Sequence, residues 1–238
     1  MSEQNTLTLD GNKLVLARRI YLFLASLFIA SLVTCNIIAN KFISIDLWLF
    51  GYWKTFTISV GILPYPITFL ITDILSEVYG RKRTQEVVIA GFGVSAFVLF
   101  LLWLGNVFPA IESSTVQDEA YNSVFQNSWR VILASMVAYL SAQFLDVRLF
   151  HFWKRLTKGK MLWVRNNFST ITSQLVDTFL VVTIIFIGSL GWETIGQFVL
   201  DGWLFKIICA AVDTFFIYLV IWIFKKMFGL QRGQEIEL

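Results

Sequence analysis

Charge is scarce in this chain. Of its 238 residues only 15% are Asp, Glu, Lys or Arg, against about 25% in soluble globular domains. A water-soluble protein of this length buries one core and covers the surface with charge. Apolar residues make up 57% of the sequence and the mean hydropathy is +0.70. The shortage of charge excludes an ordinary soluble domain, and the abundance of apolar residues excludes a disordered chain. Histidine occurs once, as His151, and cysteine twice, as Cys35 and Cys209, with no Cys-x-x-Cys spacing. These counts argue against a disulfide framework and against a zinc site, so no metal and no cofactor are expected. No Gly-x-x-x-x-Gly-Lys phosphate loop and no His-Glu-x-x-His pair is present, so the chain is not expected to hydrolyse ATP or to act as a metalloenzyme. Gly93-Val94-Ser95 offers a serine whose sole potential base is His151 at the opposite end of another apolar run. Ser95 therefore reads as a small packing residue, and the chain reads as a non-enzyme with no nucleic-acid partner.

What the sequence does have is long apolar runs. They are continuous and lack period-two alternation, which disfavours an outer-membrane barrel. A helical span needs roughly 20 mostly apolar residues, and six stretches qualify, at 20–40, 57–79, 86–108, 130–150, 169–190 and 203–224. Arg18-Arg19 precede the first, which continues as a span with no small-residue cleavage site. Basic residues set the orientation. With a cytoplasmic N-terminus, fifteen of the nineteen Lys and Arg fall inside, and Lys41, Lys54, Arg130 and Lys206 remain outside. Five or seven spans would break that alternation. The expected fold class is an all-α polytopic membrane protein with six transmembrane helices and both termini cytoplasmic. It is one membrane domain over 1–238, with a cytoplasmic tail at 1–19, a six-helix bundle at 20–228 and a second cytoplasmic tail at 229–238. Trp48, Trp53, Trp103, Trp129, Trp192 and Trp203 fall at the outer interface and Trp153, Trp163 and Trp222 at the inner one, where an indole is half wet and half dry. The six-cation loop 148–165 suits either anionic lipid headgroups or topology alone.

Two places interrupt the pattern. Pro64-Tyr65-Pro66 lies inside the second stretch, so that span is expected to be kinked or discontinuous. The partly alternating segment 43–55 reads as a short hairpin or a lid.

Ionisable residues inside spans cost about 2.5–3.5 kcal/mol each at mid-helix and are functional candidates. Asp73 and Glu77 are i,i+4 on the second span; Gln143 and Asp146 are i,i+3 on the fourth; Gln174 and Asp177 are i,i+3 on the fifth; Asn36 and Asn40 are i,i+4 on the first. Asp177 and Asp213 each lie twelve residues from an inside cation, about 18 Å deep at the helical rise. Such stripes are expected to face a shared polar cavity, the bland alternative being interhelical hydrogen bonding. Val176-Asp177-Thr178-Phe179 recurs as Val212-Asp213-Thr214-Phe215, a short match that leaves an internal repeat open.

Three blocks carry a family likeness. Ile71-Thr-Asp-Ile-Leu-Ser-Glu-Val-Tyr-Gly-Arg-Lys, Ala142-Gln-Phe-Leu-Asp-Val and Ser169-Thr-Ile-Thr-Ser-Gln-Leu-Val-Asp-Thr-Phe resemble the queuosine precursor transporters, within the vitamin uptake transporter group. The likeness covers roughly 20–225; Ala142 departs from the Gly often found before the fourth-helix Gln. The resemblance implies bacterial inner-membrane uptake of a deazaguanine, either the cyano or aminomethyl precursor or the queuine base. It also implies a fold similar to the substrate-binding component of energy-coupling-factor transporters, working without the ATPase partner. The alternative is a substrate-binding membrane component that needs such a partner, for another purine-like or vitamin solute. A carboxylate matches the paired N–H donors of a guanine-like edge and an amide matches its carbonyl. The expected substrate-binding residues are Asp177, Gln174, Asp73, Glu77, Gln143, Asn36 and Asp213. Tyr65, Trp53 or Tyr79 is expected to stack on the bicycle. Membrane lipids are the other expected partners, and a homodimer is left open.

Overall fold

The computed structural model describes residues 6–49, 51–125, 128–156, 162–230 and 234–238. Its elements in chain order are strand β1 (Thr6–Thr8), helix α1 (Gly11–Ile38), strands β2 (Phe42–Leu49) and β3 (Tyr52–Ser59), and helices α2 (Tyr65–Val78) and α3 (Gly80–Val107). There follow α4 (Asp118–Phe125), α5 (Ser128–Leu156), α6 (Leu162–Phe186), α7 (Trp192–Phe228) and strand β4 (Glu235–Glu237). Among the described residues four segments are long and apolar enough to cross a bilayer, Gly11–Ile38, Val60–Val78, Lys82–Val107 and Trp192–Val212; Ile171–Phe186 is apolar but shorter. Many large apolar side chains are exposed along these helices, including Leu22 and Phe23 on α1, Phe97, Phe100 and Trp103 on α3, and Phe215, Tyr218 and Trp222 on α7. Exposed apolar surface on that scale is what a lipid-facing helix presents and what a soluble surface avoids.

The chain packs as two compact units. One comprises Met1–Cys35, Leu63–Phe100 and Cys209–Leu238, the other Asn36–Ile62 and Leu101–Ile208.

In the first unit, Pro64 caps α2 and a second proline occupies its opening turn, where a missing N–H costs nothing and φ is already helical. The prolines thus start a helix and do not kink one. Residues 57–59 of the predicted second span belong to β3, and a single 3-10 turn, Val60–Ile62, follows. The apolar face of α2 buries Ile71, Ile74, Leu75 and Val78. Tyr79 ends the helix, its N–H donating to the Leu75 carbonyl at 2.8 Å. Gly80 follows at φ +84°, a left-handed position that only glycine adopts without strain. A Cβ there would also collide with the Glu235 carboxylate. That carboxylate arrives on β4, which pairs in parallel with β1 through Thr6 opposite Glu235 and Thr8 opposite Glu237. Tyr79 is fully engaged. Its hydroxyl donates to the Ala17 carbonyl at 2.9 Å, and its ring packs edge-on to Tyr21 at 5.3 Å and to Phe224 at 6.3 Å. It therefore ties α2 to α1 and α7 and has no face left for a ligand.

In the second unit, β2 and β3 form an antiparallel hairpin with Phe42 opposite Ser59 and Trp48 opposite Trp53. The hairpin reading of 43–55 therefore holds, with a broader extent. Period-two alternation puts Lys54, Phe56 and Ile58 on one side of β3, and Phe56 and Ile58 are buried. Phe42 stacks on Phe198 at 5.1 Å and meets Phe186 edge-on at 5.3 Å, while Phe56 meets Phe205 at 6.5 Å. The hairpin is therefore seated on α7 through Phe198 and Phe205, two turns apart. The stretch 109–129 holds a short helix that the apolar pattern did not foretell. Asp118 and Glu119 occupy the first turn of α4, where carboxylates complement the helix dipole. Asp118 also accepts the Ala110 N–H at 3.0 Å, and the Tyr121 hydroxyl donates to the Leu102 carbonyl at 3.1 Å. α5 and α6 pack on one another. Ala134, Ala138 and Ala142 form a buried stripe along α5 at intervals of four, and small residues at that spacing let membrane helices approach closely.

Candidate functional site

The site grows from α6. Thr172 and Thr178 donate their hydroxyls to the carbonyls one turn earlier, of Phe168 at 2.8 Å and Gln174 at 2.9 Å. Hydroxyls bonded back in this way satisfy themselves within the helix. Asp177 has no such local option and needs a cation. It receives one from α7: Lys206 Nζ lies 2.6 Å from Asp177 Oδ2, and the two side chains are only 8% and 6% exposed. A lone buried charge among apolar helices is prohibitively costly, whereas a charge-assisted pair is net neutral.

Gly202 makes the reach possible. A Cβ at this position would lie 3.2 Å from Thr178 Cγ2 and 3.5 Å from Ile62 Cδ1, so α7 lies close against α6 there. Lys206 sits one turn further on. The indole N–H of Trp203 donates to the Ile171 carbonyl at 3.0 Å and adds a second tie between the same helices.

Beside the ion pair is an unmet acceptor. Gln174 Oε1 is buried with no hydrogen-bond partner among the described residues, as is Thr183 Oγ1. A desolvated, unsatisfied oxygen costs about 1–3 kcal/mol. Gln174 precedes Asp177 by three positions, so the two side chains are neighbours on one helix face. An acceptor and a carboxylate side by side, balanced by one ammonium, suit a planar ligand that carries adjacent N–H donors.

The other sequence-predicted residues are distributed as follows. Asn36 is buried, in the same unit as Asp177. Asp73 and Glu77 belong to the other unit, exposed on α2. Tyr65, also in that unit, meets the Phe69 ring edge-on at 4.5 Å. Trp53 is exposed and packs edge-on to Trp48 at 5.3 Å. The side chains of Gln143, Asp146, His151 and Asp213 lie outside the described residues, as do residues 157–161 of the basic loop. Ser95 is buried and donates to the Gly91 carbonyl at 2.9 Å, a packing role within its own helix.

Sequence reasoning missed Lys206. It stood among the outside cations, yet it lies in the run Trp203-Leu-Phe-Lys-Ile-Ile-Cys-Ala-Ala, and a lysine that deep in apolar sequence signals a buried carboxylate elsewhere. Two further cations that the charge pattern assigned to the outside also have specific partners. Lys54 lies 3.3 Å from the buried Asp201, which also accepts the Thr57 N–H at 3.2 Å. Arg130 donates to the carbonyls of Ile184 at 2.8 Å and Ile187 at 3.0 Å, capping the end of α6 where helix carbonyls lack partners.

Relatives of known name are similar over part of this chain. A "Probable queuosine precursor transporter" of Bacillus subtilis (strain 168) is 34% identical over 134 residues, 56% of this chain and 58% of the relative. One of the same name from Haemophilus influenzae is 27% identical over 60% of this chain and 56% of its own length. The "Queuosine precursor transporter" of Escherichia coli (strain K12) is 25% identical over 77% of this chain and 74% of its own length. The chain thus spans a little over half the length of the first two. No solved structure matches. The family model described as "Putative vitamin uptake transporter" matches residues 59–220, a segment that contains Asp177, Gln174, Gly202 and Lys206. By that match the chain belongs to the vitamin uptake transporter family.

Proposed function

We propose that this protein is a bacterial inner-membrane uptake transporter for a queuosine precursor, namely the cyano- or aminomethyl-deazaguanine or the queuine base. The observation that carries the reading is the buried Asp177–Lys206 pair with the unpartnered Gln174 Oε1 one turn before it. A deazaguanine carries a ring N–H next to an exocyclic amine, and an acceptor beside a carboxylate is complementary to that edge. The names of the relatives support the substrate class, and the apolar helices support a multi-pass membrane protein.

In this reading residues 20–228 form one membrane domain of six helices with both termini cytoplasmic, resembling a vitamin-binding component that works without an ATPase. Asn36, buried in the same unit as Asp177, is the further candidate for a polar contact to the ligand. Lipid surrounds the exposed aromatic and aliphatic faces. The test is uptake of labelled deazaguanine into proteoliposomes that contain this protein alone and no ATP. Accumulation or equilibration of the base supports the reading. A strict need for ATP and a co-purified coupling subunit assigns the chain to the partner-dependent class instead.

A further inference from the structure

We propose that Trp203 is the stacking platform of the site: its indole face makes the site select a fused two-ring base over a one-ring analogue that carries the same hydrogen-bonding edge. The inference rests on the transporter reading of this site and deepens it.

Three observations carry it. The first is position. Trp203 lies on α7 three positions before Lys206, and its indole N–H donates to the carbonyl of Ile171, three positions before Gln174 on α6, at 3.0 Å. Residues three apart are neighbours on a helix face. The indole therefore adjoins the groups that suit a polar ligand edge, the buried Gln174 Oε1 and the Asp177–Lys206 pair. The second is orientation. An indole N–H lies in the plane of its ring, so the bond to Ile171 fixes the ring by its edge and commits neither π face. The side chain is half-buried, and among the described residues no second ring packs on it. The third is the placement of the aromatics expected to stack. Tyr79 is held by Ala17, Tyr21 and Phe224, Tyr65 belongs to the other unit, and Trp53 packs on Trp48 in the hairpin. A flat face on α7 beside polar groups on α6 suits a planar base, because stacking grows with the ring area that overlaps. The second ring of a deazaguanine adds overlap that a lone pyrimidine lacks, while the N–H, amine and carbonyl edge stays the same.

The experiment measures dissociation constants of the full-length purified protein for two probes. One is the nitrile-bearing deazaguanine; the other is isocytosine, a single ring with the same donor and acceptor edge, measured by competition. The first readout is the ratio of two-ring to one-ring affinity. The second is the quenching of tryptophan emission by bound deazaguanine. Wild type is expected to favour the two-ring base and to be quenched by it. Trp203→Leu is expected to lower the ratio by about fivefold or more, the lower end for loss of one base–aromatic stack. Trp203→Phe keeps a ring face and loses the N–H bond, so it is expected to retain most of the ratio while the quenching diminishes. A residue that only tied α7 to α6 would weaken both ligands alike and leave the ratio unmoved. The quenching of Trp203→Phe carries the test if the leucine variant misfolds. A ratio that a folded Trp203→Leu does not move, or quenching undiminished in a folded Trp203→Phe that binds, overturns the platform while the transporter reading stands. A folded wild-type protein that binds neither probe overturns both.

Discussion

Gly202 is a position where a side chain has a calculable cost. The first added carbon would sit 3.2 Å from Thr178 Cγ2 and 3.5 Å from Ile62 Cδ1. The Thr178 contact must give by a few tenths of an ångström to admit it. Against that squeeze stands the helix propensity of alanine, about 1 kcal/mol better than glycine. Gly202→Ala is therefore expected to be close to neutral. Gly202→Leu adds three further carbons to a close-packed surface, and overpacking of that kind costs about 1–3 kcal/mol. For a chain of this size each kcal/mol lowers the midpoint by about 2–4 °C. The larger side chain also wedges α7 from α6 and stretches the 2.6 Å Lys206–Asp177 contact, so ligand affinity is expected to fall with stability. Thermal unfolding in detergent, with and without ligand, reads both. A leucine variant that melts and binds like wild type would refute the close packing of α7 on α6 at this position.

Further outcomes follow from the same unit and its neighbour. Arg130→Met removes both donors that cap the Ile184 and Ile187 carbonyls and is expected to lower stability by about 1–3 kcal/mol. Arg130→Lys is expected to recover only part of it, because an ammonium lacks the planar fork; thermal melts decide. Asp201→Ala strips the hairpin of its link to Lys54 and to the Thr57 N–H and is expected to speed tryptic cleavage at Lys54, whereas Asp201→Asn keeps the backbone bond and stays closer to wild type. Tyr79→Phe deletes the bond to the Ala17 carbonyl while keeping the ring contacts, an expected loss of about 1 kcal/mol with ligand affinity unchanged.

The helices were legible because lipid imposes a simple rule, one apolar side chain after another for the thickness of the bilayer. Five of the six apolar stretches lie largely on helices, whereas the second opens in β3 and a 3-10 turn before α2 begins, and α7 begins at Trp192, well before the predicted start at 203. The apolar pattern could not see that start, since a helix continues through polar residues such as Glu193 and Gln197 as long as its backbone bonds are met. The hairpin was legible from alternation. The opening of α2 was half legible: the prolines announced a break, but not that they would sit at a helix start. The pairing of β1 with β4 was illegible, because three-residue strands from opposite ends of the chain meet by tertiary packing alone. At the site, Asp177 and Gln174 were legible as intramembrane polar groups at helical spacing. Lys206 was not, because its partner is 29 positions away in sequence and a rule that counts cations toward loops takes every lysine as solvated. Asp201 and Lys54 stayed hidden for the same reason.

The central claim is that Asp177 and its neighbours bind a deazaguanine. The most direct measurement is equilibrium binding of purified wild type and Asp177→Asn to a panel of the cyano and aminomethyl precursors, queuine, guanine and a water-soluble vitamin. Selective binding of a deazaguanine by wild type, lost in a folded Asp177→Asn, is the predicted result. Preference for the vitamin, or a folded Asp177→Asn that binds as wild type does, would contradict it.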